Sequence, residues 1–417
     1  MKYRQIVWGE CPSDWENAKL GELVQKENRA YTPESGSIPT VCSISNTKGF
    51  TKSEEQFDKQ VYSDELEGYS VVKKGEFGYN PSRINVGSIA QLKHQNEVLI
   101  SPMYEVFSVD ESRLSPAYFS HLINSPQMLS LFDAYSEGSV RQTLNFSNFS
   151  EIPVVLPPLS TQNEIVSVLD PINQSLSNIR KQRELTSQLK SNLFNAFISG
   201  ELTGSETETR RLGPVERTVP QDWPTYKLGE ISNVKRGASP RPIGEYMGDA
   251  VHWVKISDMS GTKYVENTKE RLISEGKEES VFVESGTVIL SISATVAEPA
   301  ILGIDGCIHD GIVSFQNVID DVLPEFLYYS LDGMKERLAS KGQRAAGNQS
   351  NINSSIVKNS ELVVPPVSEQ KQIIQLLNKI DSWRSKETDK QQLWSDLYES
   401  VASDLLSGQV RKHARRV

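Results

Sequence analysis

Tyr79-Asn80-Pro81-Ser82-Arg83-Ile84-Asn85 places an aromatic ring, two amides, a hydroxyl and a guanidinium in one short turn. An Arg fork matches guanine O6 and N7, and an Asn amide matches adenine N6 and N7, so these groups can tell bases apart. Ser139-Val140-Arg141-Gln142-Thr143 offers a second polar cluster, with Arg141 and Gln142 as candidate contacts. Further along, Lys235-Arg236-Gly237-Ala238-Ser239-Pro240-Arg241-Pro242 gathers three cations and the Ser239 hydroxyl around Gly and Pro. It reads as a rigid loop suited to phosphates or base edges. Lys341-Gly342-Gln343-Arg344 and Asn348-Gln349-Ser350-Asn351 are the downstream candidates, through Arg344, Asn348 and Asn351. Each stretch also has a plainer reading, a turn or loop whose polar groups are merely solvated.

Other chemistry is scarce. The chain has no GxGxxG or GxxxxGK[ST] motif for a nucleotide, no GxSxG elbow and no HExxH pair. Asn80-Pro81-Ser82 lacks the second proline and the aromatic residue of the amino-methyltransferase Asn-Pro-Pro-aromatic motif, and no glycine-rich cofactor loop precedes it. Cys307 and His309 supply two metal ligands, too few for a site. The expectation is a chain that binds rather than catalyses, with no cofactor or metal of its own.

Those loops hang on a frame that is written twice. Pro12-Ser13-Asp14-Trp15 with Leu20-Gly21-Glu22 recurs 208 positions on as Pro220-Gln221-Asp222-Trp223 with Leu228-Gly229-Glu230. Pro157-Pro158-Leu159-Ser160, Gln162 and Ile165 recur as Pro365-Pro366-Val367-Ser368, Gln370 and Ile373, and Ser199-Gly200 as Ser407-Gly408. One spacing kept at four anchors indicates an internal repeat. Each copy begins with about 145 residues of short apolar runs between turn signals, such as Val98-Leu99-Ile100 and Val288-Ile289-Leu290. Short helices are expected at Pro116–Ile123 and Pro324–Leu331.

A long helix follows each proline pair, over Ser160–Ile198 and Ser368–Leu406, with the serines as N-caps and Ser-Gly as the stop. Ile165, Leu169, Ile172, Leu176, Ile179, Arg183, Thr186, Lys190, Leu193 and Phe197 alternate four and three apart, as do their equivalents from Ile373 to Leu405. These are heptad seams, apolar at the ends and polar in the middle, which suits antiparallel pairing with a globule at each end. Pro171 is expected to kink the first helix. Residues 201–219 read as an exposed linker.

Composition bounds the rest. A chain of 417 residues with 37% apolar content supports packed domains, and three cysteines without a CxxC pair point to a reducing, cytoplasmic setting. No run approaches the roughly 18 apolar residues of a membrane span. The net charge of −10 lowers the expectation for nucleic acid, though 44 Lys and Arg suffice for a local basic surface. Lys235–Arg241 has no basic counterpart after Leu20-Gly21-Glu22, so a common scaffold carries unlike loops.

With the duplicated Asp-Trp-x4-Leu-Gly-Glu entry, Leu156-Pro157-Pro158-Leu159-Ser160-x-Gln162, Val364-Pro365-Pro366-Val367-Ser368-Glu369-Gln370 and the helix after each, the chain closely resembles the specificity subunits of Type I restriction–modification systems. Tyr79–Asn85 and Ile304–Gly311 also look like sequences of that family. The resemblance implies an α+β fold: two tandem mixed α/β target-recognition domains, two long helices pairing as an antiparallel coiled coil, and a pseudo-two-fold repeat. It divides the chain into a first recognition domain (1–155), a helical region (156–200), the linker (201–219), a second recognition domain (220–363), and a second helical region with a basic tail (364–417).

It further implies that each domain reads half of a split, asymmetric double-stranded DNA site, with the helices fixing the spacer, in anti-phage defence. The implied partners are two modification subunits, carrying S-adenosylmethionine and adenine methylation, and two restriction subunits, carrying ATP- and Mg2+-dependent translocation and cleavage. No membrane is involved. Two rival classes remain beside it: a coiled-coil assembly protein presenting two protein-binding modules, and an enzyme with an unrecognised site.

Overall fold

The repeated residues are the ones that close each half of the chain. In this computed structural model strand Glu16–Lys19 pairs antiparallel with Pro153–Leu156, and Thr225–Lys227 pairs in the equivalent register with Glu361–Val363. Leu20 and Leu228 then donate their N–H groups to the carbonyls of Ile152 and Ser360, at 3.0 and 2.9 Å. Gly21 and Gly229 follow because a Cβ on either would press on Ser150 or Lys358. Trp15 and Trp223 are buried among the core side chains of their respective halves. The structure describes residues 3–6, 9–33, 39–46, 48–53, 66–138, 142–213, 215–346 and 352–409, and the backbone alone of 3–6, 9–11 and 341–346.

The chain divides into two compact units, Met1–Arg180 with Asp389–Val417, and Lys181–Thr388. The cuts fall inside the helices, whereas the sequence suggested helical regions separate from the domains. In the first unit a four-stranded antiparallel sheet runs in the order Val24–Lys26, Glu105–Val109, Phe77–Tyr79, Ile89–Gln91. Helix Pro116–Leu122, one residue shorter than expected, packs its Tyr118, Phe119 and Leu122 into the core beside that sheet. The second unit has two five-stranded sheets, with Val288–Ser291 central in one and Val251–Val254 central in the other. Helix Pro324–Gly333 covers its core, followed by helix Lys335–Ala346.

The long helices span Leu159–Ile198 and Val367–Leu406, 40 residues each. Both begin one residue earlier than expected, so Ser160 and Ser368 lie in the first turn and are not the caps. Pro171 sits inside the first helix without ending it. At the C-termini Gly200 (φ +83°) and Gly408 (φ +73°) take the left-handed conformation that glycine adopts without strain. Gly408 donates to Leu405 O and Gln409 to Asp404 O, at 3.2 and 2.9 Å, closing the last turn. All twenty expected seam positions are buried or half-buried.

Within the first unit Ile165 and Leu169, from the start of the first helix, share a core with Ala402 and Leu406 from the end of the second. Within the second unit Phe194, Phe197 and Ile198 share a core with Ile373, Ile374 and Leu377. Each unit therefore brings one end of each long helix into a single core. The expected linker is a correction. Thr207–Leu212 and Val215–Pro220 form an antiparallel hairpin, and its Leu212 and Val219 are buried in the second core. Its Thr and Val residues favour extended chain, and the strand signal was hidden by its charge. Among the described residues no helix is long and apolar enough to cross a membrane.

Candidate nucleic-acid interface

In the first unit the candidate turn joins two neighbouring strands, Phe77–Tyr79 and Ile89–Gln91. Asn80 N–H donates to Ser88 O, and Arg83 N–H to Asn80 O, both at 3.0 Å. The half-buried Asn80 accepts through Oδ1 from Ser82 N–H at 3.0 Å, which fixes the turn. Arg83 is exposed. Asn85 is half-buried and donates through Nδ2 to Asp133 Oδ1 at 3.3 Å. Leu144 N–H donates to Pro81 O at 3.0 Å, which brings the neighbourhood of exposed Gln142 to this turn.

Tyr79 requires correction as a contact residue. Its ring is fully buried, stacked on Phe149 with centroids 5.1 Å apart, because Phe77–Tyr79 is an inner strand covered on both faces. Burial drives its hydroxyl pKa far above the ordinary value. Arg141, Asn348 and Asn351 lie outside the described residues. Arg344 stands in helix Lys335–Ala346, not in a loop, and its side chain also lies outside them.

The second unit gives a more developed site. Lys235 and Arg236 are exposed at the end of edge strand Asn233–Arg236. Arg236 Nε donates to Asp310 O at 2.7 Å, and Ser239 Oγ to Asp310 Oδ1 at 3.2 Å. These bonds pin the basic loop to the segment after strand Gly306–Ile308. Gly237 lets the two backbones meet: a Cβ there would run into the carbonyls of Ile308 and His309. Beyond this crossing the loop walls a cleft of about 760 Å³ with Ser239, Arg241 and Ile243 on one side and Trp253, Lys255, Glu270 and His309 on the other.

Lys255 lies 4.5 Å from the Trp253 ring centroid and 2.7 Å from Glu270 Oε1. His309 Nδ1 accepts from Gly311 N–H at 3.0 Å, and its ring lies 5.6 Å from that of Trp253. Apolar walls with cations, an imidazole and two carboxylates suit a polar planar ligand such as a base edge. Lys255, Glu270 and His309 were missed in the sequence, since Glu270 starts one strand and Lys255 and His309 each follow the end of another, and only the sheet brings the three together. The one available signal was His309 in Ile304–Gly311. Cys307 is buried with Trp253 and Leu272 instead of joining His309. Among the described residues no three His, Cys, Asp or Glu side chains are grouped to hold a metal ion.

Two stretches, residues 12–187 and 220–393, match the family described as Type I restriction modification DNA specificity domain. The chain belongs to that family. The two matches start at the residues 208 apart that begin the repeat, so each copy of the frame is one family domain. Among its relatives, the Type I restriction enzyme MjaVIII specificity subunit of Methanocaldococcus jannaschii is 21% identical, with 96% of this chain and 94% of that protein covered. The HindI specificity subunit of Haemophilus influenzae is also 21% identical, with 88% and 92% covered.

The fold is similar to that of the Type I restriction–modification S subunit from M. genitalium, with a TM-score of 0.52, 12% identity, and 94% of this chain and 96% of that one covered. A chain from a study of complex assembly and conformational transition in the type I R-M system gives 0.50 and 16%, covering 95% and 99%. Specificity subunits are non-catalytic components of such complexes, and membership of this family does not favour the coiled-coil assembly reading.

Proposed function

We propose that this chain is the sequence-reading subunit of a Type I restriction–modification complex, each unit reading one half of a split, asymmetric duplex DNA site. The observation that carries the reading is a frame repeated at a constant offset of 208 that bears unlike surface loops. Arg83 with Gln142 stands exposed on the first unit, and Lys235, Arg236 and Arg241 beside a cleft on the second. Equal frames with unequal loops suit two different half-sites rather than a palindrome. Asn80, Ser82 and Asn85 shape the first turn, and Ser239 anchors the second loop.

The two helices fix the distance between the half-sites, and at about 60 Å each exceeds one turn of B-DNA, about 34–36 Å. Two modification subunits supply S-adenosylmethionine and adenine methylation, and two restriction subunits supply the ATP- and Mg2+-dependent nuclease, in the cytoplasm. Much of the phosphate grip comes from those partners, consistent with a net charge of −10 on this chain.

The test is binding of the purified complex to duplexes altered in one half-site at a time, the site itself being found by sequencing methylated adenines in the host genome. Arg241→Ala is expected to weaken discrimination at one half-site by about 1–3 kcal/mol and leave the other intact, with Arg83→Ala doing the reverse. Equal losses on specific and random DNA would show that both residues only hold phosphate.

A further inference from the structure

Three side chains of the second-unit cleft stand in an order that the strands behind them fix. Strand Val251–Val254 lies between strands Glu270–Leu272 and Gly306–Ile308 in one sheet. Glu270 opens the first neighbour, Lys255 follows the central strand, and His309 follows the other. Trp253 is opposite Glu270 on one side and Cys307 on the other. His309 N–H donates to Val254 O at 3.0 Å, which carries the ladder on to Lys255 and His309. Across the sheet the cleft therefore presents a carboxylate, an ammonium and an imidazole, in that sequence. Buried Trp253 backs two of them, its ring centroid 4.5 Å from Lys255 Nζ and 5.6 Å from that of His309.

Their hydrogen-bond roles follow from the contacts. Glu270 accepts. Lys255 gives one of its three N–H donors to Glu270 Oε1 at 2.7 Å and keeps two. His309 Nδ1 accepts from Gly311 N–H at 3.0 Å, so the proton of the neutral ring sits on Nε2, a tautomer assigned from that bond. A second proton would go to Nδ1, 3.0 Å from Asp310 Oδ1, and leave Nε2–H in place. The row is thus acceptor, donor, donor.

In the major groove a C·G pair offers cytosine N4–H, guanine O6 and guanine N7, the complement of this row in the same order. An A·T pair offers acceptor, donor, acceptor, and would need the carboxylate on the central strand. The spacing agrees as well. Guanine O6 and cytosine N4 are joined by a hydrogen bond of about 2.9 Å, and the Lys255–Glu270 ion pair that would lie along it spans 2.7 Å. The three side chains are between 31% and 38% exposed, open enough to be met from the cleft.

We propose that these residues read one G·C pair through its major groove, with Glu270 on cytosine N4, Lys255 on guanine O6 and His309 Nε2 on guanine N7. Within the function proposed above, on which this assignment rests, that pair belongs to the half-site of the second unit.

The test uses the purified complex and duplexes carrying its methylated motif. Scanning 7-deazaguanine, which lacks only N7, through the guanines of the motif is expected to find one position where binding falls about fivefold. That scan uses the unaltered chain and does not depend on the folding of any variant. Replacing the same pair by A·T should weaken binding about tenfold or more. In His309→Ala the 7-deazaguanine penalty at that position disappears, which a merely structural histidine would not bring about. Lys255→Met and Glu270→Gln should each relax the methylated motif at that position and at no other. If no guanine is sensitive to the loss of N7, or His309→Ala leaves every such penalty unchanged, the base assignment is overturned while site-specific binding upholds the functional reading. A complex that prefers no duplex over random DNA would overturn both.

Discussion

Gln162 and Gln370 tie the start of each long helix to its globule. Each is fully buried at the first turn of a long helix. Gln162 accepts from Ser115 N–H and donates to Arg113 O and Pro157 O, at 2.8, 2.8 and 2.9 Å. Gln370 repeats this with Leu323 N–H, Asp321 O and Pro365 O, at 2.9, 2.6 and 2.8 Å. One amide thus satisfies three backbone groups from two segments, and its loss removes all three bonds, the one to the proline carbonyl being buried. Gln162→Ala is expected to cost about 3 kcal/mol, seen as a lower denaturant midpoint; a loss under about 1 kcal/mol would mean water replaces the amide. Gly237→Ala should separate the basic loop from His309 and weaken DNA binding at the half-site affected by Arg241→Ala, which site-specific binding assays can check. At this scale the sequence was legible where one side chain serves local backbone, as in the Pro-Pro-x-Ser-x-Gln anchor. It misled at Tyr79, because ring chemistry is the same on the surface and in a core, and only the place of its strand inside the sheet decides.

Where helices meet their globules, polar side chains tie three segments together. In the first unit His121, on helix Pro116–Leu122, lies 2.8 Å from Asp170 through Nε2 and 2.8 Å from the Tyr398 hydroxyl through Nδ1. The neutral imidazole fits both: Nε2–H donates to Asp170 and Tyr398 O–H donates to Nδ1, a tautomer assigned from these bonds. Burial pushes the His121 pKa below its ordinary 6.5, aided by Lys93 and opposed by Asp170. The unfolded chain then takes up the proton first, so stability from this contact is present above about pH 6.5 and falls as the pH drops below it. Melting between pH 7.5 and 5.5 should show the loss, and His121→Asn should flatten the part due to this residue; an unchanged slope would exclude His121 as its source.

At the same offset the second unit has Tyr329, Asn378 and Lys190, with Tyr329 donating to Asn378 Oδ1 at 2.6 Å and Lys190 3.0 Å from Asp381. The helices themselves were legible because the heptad period survives a polar middle. The second-unit cleft was not, since four of its residues meet only through sheet pairing.

For the whole molecule, the function proposed above makes spacing a property of the helices and identity a property of the loops. Removing seven residues, two turns, from both helices is expected to shorten the tolerated spacer in the DNA site while leaving both half-sites as they were. Sequencing of methylated sites tests this, and an unchanged spacer would refute a measuring role for the helices. The repeat itself could be read from four anchors, but the division at Arg180 and Asp389 could not, because heptads say which faces pair and not which core each end joins. That division orders events during synthesis. Lys181–Thr388 is one unbroken stretch, and the buried residues of its main core all lie within it. The unit that begins at the N-terminus lacks Ala402, Leu406 and the contact of Gly408 with Pro12 until the second helix has been made. In synthesis from the N-terminus the first unit is therefore expected to complete its core only with the end of the second helix, after every main-core residue of its neighbour has been made.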